Sequence, residues 1–208
     1  MISNGVRHGG ILSPFLFRVY IRDLIRQVTS SKIGCYDVCC NLLAYAADIV
    51  LLAPSWHGLQ ELLNMISVAA KDAELCFNTK KAVTMIFNPH NHYKRLHSVF
   101  PSFSLSGSNL SFVTQFKYLG RLIEDTLYDD SDINRELRCL FTRTNVLNRR
   151  FWRCSVDVKL RLFRTFCLCF CDLSIWKYYK VGTMNRLAAA YVKCIKIGYF
   201  SATLNLAV

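Results

Sequence analysis

Acidic side chains are scarce in this chain: 14 Asp and Glu stand against 26 Lys and Arg, leaving a formal net charge of +12. That imbalance points to a polyanionic partner, most simply nucleic acid. Long apolar runs are missing too. The stretches around Val50 and Leu168 are short and interrupted by Asp48 and Asp172, well under the ~20 residues a membrane span requires, so no membrane partner is expected. Ten cysteines occur without a single CxxC pair, which removes the usual zinc spacing. Cys167, Cys169 and Cys171 alternate with no nearby His and read as core or incidental thiols. With no secretory signal, a reducing setting, nuclear or cytoplasmic, is expected. Internal repeats and low-complexity tracts are absent.

What is present is a chain able to fold. Its 208 residues are 52% hydrophobic and 13% aromatic, enough apolar surface to offset the entropy of ordering one domain or two small ones. Charged residues amount to 19%, against about a quarter in an ordinary soluble domain. Some apolar surface is therefore expected to face another segment. The positive charge is concentrated: from Arg135 to Arg164 nine basic residues meet only Glu136 and Asp157, a local excess of +7. The alternative for this stretch is a solvated helical face that keeps the protein soluble.

Along the chain, Ser13 offers an N-cap and Pro14 a first helical residue. The following Phe15, Leu16, Val19, Tyr20, Ile21, Leu24 and Val28 recur at helical spacing. Leu42 to Ala53 (LLAYAADIVLLA) reads as two apolar strands folded over a tight turn, with Asp48 at its tip. Pro54 to Gly58 reads as a turn before a second amphipathic helix from Leu59 to Ala73. Strands are expected at Ala82 to Phe87, Ser102 to Leu105, Leu110 to Val113 and Phe116 to Ile123, with Ser106 to Asn109 as a hairpin turn. His90, His92 and His97 fall in a polar loop without a carboxylate or thiol partner. Asp125, Asp129, Asp130 and Asp132 gather before a long helical stretch, where the macrodipole favours negative charge; a metal cluster is the competing reading. Ser155 and Gly182 read as helix breaks.

Four blocks in this order, GVRHGGILSP, LLAYAADIVLLA, NTKK (Asn78 to Lys81) and FKYLG (Phe116 to Gly120), carry a likeness. The chain resembles non-LTR retrotransposon reverse transcriptases, and the similarity extends through SVDVKLRLFRTF and VGTMNRL in the basic tail. The resemblance implies an α+β fold: residues 1–124 as the C-terminal part of a palm, an antiparallel sheet backed by helices, and residues 125–208 as a helical thumb. It also implies an RNA template, a DNA primer and Mg²⁺.

Each block then has an implied role. Gly9 and Gly10 let backbone approach the template and nascent base pair, and Arg7 can neutralise phosphate; without the family they are a loop before a helix. His8 stands where the family usually has Gln. Tyr45, Ala46 and Asp48 match the Y-A-D-D signature, but Ala47 replaces its first Asp. In the family that Asp joins one from an earlier palm strand, expected to lie outside this chain, to hold two Mg²⁺ ions. Asp48 remains as a catalytic remnant and an incomplete metal site. Lys81 matches a lysine near the incoming nucleotide, with Ala82 in place of the usual Thr; the competing reading is a solvated strand edge. The FKYLG block resembles a primer-gripping hairpin with Lys117 and Gly120 toward nucleic acid and Phe116 and Tyr118 packed beneath. Arg143, Arg149 and Arg150 are the thumb residues expected to meet phosphate. A partial sheet leaves an open edge, so aggregation is expected when the chain is expressed alone. A monodisperse product with a cooperative melt would contradict that.

Overall fold

Short strands and the turns between them set the architecture. The structure, a computed structural model, describes residues 10–31, 33, 40–87, 100–168 and 173–203, with residues 197–203 by backbone alone. In chain order the elements are α1 (Ser13–Thr29), β1 (Leu42–Tyr45), β2 (Asp48–Leu51), α2 (Trp56–Asp72), β3 (Val83–Thr84), β4 (Ser104–Leu105), β5 (Ser108–Asn109), β6 (Ser111–Phe112), β7 (Gln115–Tyr118), β8 (Arg121–Glu124), α3 (Asp130–Arg150), α4 (Val156–Phe166) and α5 (Val181–Thr203). They form two compact units, one drawing its described residues from 10–84 and 100–112, the other from 85–87 and 113–203. No helix among the described residues is long and apolar enough to cross a membrane.

In the first unit Leu24 and Val28 of α1 meet Leu62, Leu63, Ile66, Ala69 and Ala70 of α2 over Phe103, Leu105 and Leu110. Burying each large aliphatic side chain contributes about 1.5–3 kcal/mol, which makes the helix pair the main source of cohesion here. Polar groups lock the edges. The buried Asn41 amide donates to Val28 O (3.0 Å) and Ser31 Oγ (2.9 Å), tying the end of α1 to the start of β1. The Gln60 amide both donates to Ser104 O and accepts from Ser104 N–H, each at 3.0 Å, so a helix side chain completes an edge that backbone would otherwise leave unpaired.

Several expectations change. A single antiparallel sheet was expected; among the described residues there are four two-stranded ladders, β1–β2, β4–β5 and β7–β8 antiparallel and β3–β6 parallel. Each antiparallel ladder closes over its own two-residue turn at positive-φ positions such as Ala46, Ser106–Gly107 and Leu119–Gly120, so pairing is satisfied locally. That turn also splits the Phe116 to Ile123 strand into a hairpin. The Ala82 to Phe87 strand shortens to Val83–Thr84, because β6 offers only Ser111 and Phe112 to pair with. Ser13 does not cap α1: the cap position is Leu12, and Ser13 N–H donates to Gly10 O (3.1 Å), which draws Ser13 into the helix. Of the α1 apolar face only Ile21, Leu24 and Val28 are buried, while Phe15, Leu16, Val19 and Tyr20 stay exposed because the core covers only the helix's second half. Helix α2 begins three residues before Leu59, since the Ser55 hydroxyl accepts from Gly58 N–H (3.1 Å) and caps it there. Gly58 is buried inside the helix, and a Cβ on it would stand 3.0 Å from the Ile33 side chain.

The second unit is built around carboxylates. Asp132, wholly buried, accepts from Leu122 N–H of β8 (2.9 Å), Arg135 Nε (2.7 Å) and Trp176 Nε1–H (2.9 Å). Asp129 pairs with Arg121 and accepts from Lys177 and Tyr178 N–H at 2.7 and 3.0 Å. The acidic run thus does more than complement the α3 dipole. It joins the β7–β8 hairpin, the start of α3 and the segment before α5, above a small core of Ile133, Trp176 and Leu187. A second cluster, Leu140, Leu147, Phe163, Cys167, Ala190 and Cys194, holds α3, α4 and α5 together. Cys167 is therefore a core thiol; Cys169 and Cys171 lie outside the described residues. Ser155 precedes α4 as a break, whereas Gly182 sits in the first turn of α5.

Burial is the largest influence on the Asp132 carboxyl and opposes its charge, but hydrogen bonds from Arg135, Leu122 N–H and Trp176 outweigh it and hold its pKa below the ordinary 3.8. A depressed folded-state pKa supplies stability in full above 3.8 and loses it as the pH falls through the folded value. Asp132→Ala is expected to cost about 3–5 kcal/mol, the range for removing one partner of a buried ion pair. Chemical denaturation at neutral pH checks this, and the difference from wild type should shrink in acid.

Candidate functional site

The β1–β2 hairpin forms in the register its apolar pattern requires: Leu42 opposite Leu51, Leu43 opposite Val50, Ala44 opposite Ile49 and Tyr45 opposite Asp48. Ala46 turns the chain at φ 50°, a left-handed conformation uncommon for a residue with a Cβ. A small side chain lessens the crowding there. The turn exposes Tyr45, Ala46, Ala47 and Asp48 together. Asp48 is thereby the one carboxylate at this tip, and no hydrogen bond or ion pair engages it among the described residues. Ala47 adds a methyl group and no oxygen.

The other sequence candidates in this unit take these places. Gly10 sits in the turn before α1, and Arg7 and Gly9 lie outside the described residues. Lys81 follows a tight turn in which its own N–H donates to Asn78 O (3.0 Å), and its side chain is exposed. His90, His92 and His97 also lie outside the described residues. Among the described residues no three His, Cys, Asp or Glu side chains stand together as a metal-binding group. Asp129, Asp130 and Asp132 instead spend oxygens on Arg121, Arg135 and backbone N–H donors.

In the second unit Lys117 projects from β7 opposite Leu122 and is exposed, and Gly120 completes the turn at φ +87°. Phe116 is exposed and Tyr118 half-buried, so the pair does not pack beneath the hairpin as expected. The basic stretch divides by role. Arg135 is clamped between Asp132 and Glu136, Arg143 lies 3.6 Å from Glu136, and the buried Lys159 donates to Trp152 O (2.9 Å). Arg138, Arg149, Arg150, Arg153, Arg161 and Arg164 remain exposed.

A family model for reverse transcriptase (RNA-dependent DNA polymerase) matches residues 1–123. The chain belongs to the reverse transcriptase family. The match spans both the β1–β2 hairpin and the FKYLG turn. Among curated proteins, this reverse transcriptase chain is 30% identical over 125 residues to the Retrovirus-related Pol polyprotein from type-1 retrotransposable element R2 of Nasonia vitripennis, covering 57% of this chain and 12% of that protein. Over 205 residues it is 22% identical to the RNA-directed DNA polymerase from mobile element jockey of Drosophila funebris, 94% of this chain and 21% of that protein. It is 31% identical over 124 residues to the polyprotein of type-2 retrotransposable element R2DM of Drosophila melanogaster. The relatives are non-LTR retrotransposon enzymes, and the chain spans between 12% and 21% of the length of those it matches.

Just past α3, Trp152 and its contact with Arg153 escaped the sequence reading, which counted Arg153 only as one of the basic run. Trp152 is exposed and Arg153 lies over its ring, 4.7 Å from the centroid. The signal was the RRFWR string, in which aromatics interrupt a basic run. If Arg149 and Arg150 meet phosphate, replacing both with Ala should weaken nucleic-acid binding across sequences. It should also reduce the slope of log affinity against log salt by about 1–2. Titration at several salt concentrations checks this, and an unchanged slope would exclude the pair.

Proposed function

We propose that this chain is a reverse-transcriptase segment that does not polymerise as written, and that residues 1–124 correspond to the palm and residues 125–208 to a helical thumb. The observation that carries the inactivity is the hairpin tip, where Tyr45, Ala46, Ala47 and Asp48 occupy the places of Y-A-D-D with one carboxylate instead of two.

Charge decides the matter. The family chemistry uses two Mg²⁺ ions, hard cations that demand several oxygen ligands in near-octahedral order. Together they bring a charge of about +4 to one place. A lone exposed Asp48 beside a methyl group does not fit that requirement, so no catalytic step is assigned to a metal here. Lys81, exposed after the Asn78 turn, keeps a charge that could face a nucleotide's phosphates. Without a seated metal it positions nothing for transfer.

A second reading is supported by the exposed arginines of α3 and α4. Arg149, Arg150, Arg161 and Arg164 could hold an RNA template or DNA primer by phosphate contact alone. Binding would then outlast the loss of chemistry, because phosphate contacts need fixed cations and not a metal cradle.

Primer extension with Mg²⁺ tests the reading. The unmodified chain is expected to match a no-protein control. Template-dependent, Mg²⁺-dependent synthesis by it would overturn the proposal. An Ala47→Asp variant is expected to stay inactive as well, because the family's two-ion site also draws on an Asp from an earlier palm strand; synthesis gained by it would instead locate the defect at that one position.

A further inference from the structure

The corner between α3 and α4 carries a feature that phosphate contact does not use. Trp152 is 55% exposed, which leaves indole surface open to a partner. Its backbone is nevertheless held. Phe151 N–H donates to Leu147 O (2.9 Å), Cys154 N–H to Phe151 O (3.1 Å), and the buried Lys159 ammonium to Trp152 O (2.9 Å). The Arg153 guanidinium lies over the indole at 4.7 Å from its centroid, which backs one side of the ring and limits its rotation.

We propose that Trp152 is a stacking platform for an unpaired base of single-stranded nucleic acid, with Arg149 and Arg150 taking the neighbouring phosphates. It rests on the phosphate-binding reading of these helices and specifies the form of nucleic acid. A pre-positioned exposed indole among cations offers the combination that single strands require, a π face for the base and fixed charge for the backbone. A duplex hides its base faces in its own stack, so it gains only from the charge. The one carboxylate on the adjoining first turn of α4 is Asp157, too few to cancel the excess around the corner.

The test compares a labelled mixed-sequence single strand, the same strand with abasic sites in place of its bases, and a duplex of equal length, by fluorescence anisotropy at fixed salt on the full chain. Wild type should bind the intact strand about tenfold or more tightly than the abasic one, the scale of a single base–aromatic stack. Trp152→Ala should abolish that difference while leaving duplex affinity and salt slope unchanged, and Trp152→Phe should keep most of it. Because the ring is exposed, neither variant should alter the melting transition. If wild type binds nothing, the phosphate-binding reading fails and takes this one with it. If it binds with a steep salt slope but Trp152→Ala keeps the preference for bases, phosphate binding stands and stacking is overturned. Trp152-dependent binding to anionic lipid vesicles with no preference for the intact strand would also overturn it.

Discussion

A charged carboxylate with no access to water holds the second unit together. Asp132 can stay ionised only because three donors from three places in the chain converge on it: a strand N–H, a guanidinium one turn along α3, and an indole N–H forty-four residues away. Burying a charge without such partners costs several kcal/mol, so the three partners and the charge specify one another. Asp129 repeats the device one turn earlier with Arg121 and the backbone at Lys177 and Tyr178. The basic helices that follow are therefore launched from a fixed point, and arginines spent on that point are not free for phosphate. Arg135 belongs to the fold, while Arg149 and Arg150 at the far end of the same helix are open to solvent.

The hairpin in the first unit shows the opposite economy of residues. Its two apolar strands and tight turn need no carboxylate at the tip, since the apolar alternation and the turn decide the backbone. The chemistry of the tip is decided by side chains that the fold does not need. With a methyl group at Ala47 the ladder is complete from Leu42–Leu51 to Tyr45–Asp48, and the position offers no oxygen to a ligand. The backbone shape is independent of the tip's chemistry, because strand pairing and ligand binding draw on different atoms of the same four residues.

Local patterns were legible at their centres and misjudged at their ends. The β1–β2 hairpin and the two early amphipathic helices follow from spacing alone. The starts of those helices do not, because Ser13 and Ser55 are equally good caps on composition, and only the Gly10–Ser13 turn and the Ser55–Gly58 bond separate them. The FKYLG block read as one strand by propensity and as a hairpin by family likeness. Positive φ at both Leu119 and Gly120 settles that for the hairpin.

Composition and order of motifs by themselves determined the family, the basic character and the single carboxylate, Asp48, at the hairpin tip, since these depend on which residues are present and on short spacings. Tertiary structure alone decided which acids are structural, which arginines face solvent, that β3 pairs in parallel with β6, and that Trp152 stands uncovered. The reason is physical. Burial, and with it the energetic meaning of a charge or a ring, is set by residues distant in the chain, and no local pattern encodes who those neighbours are.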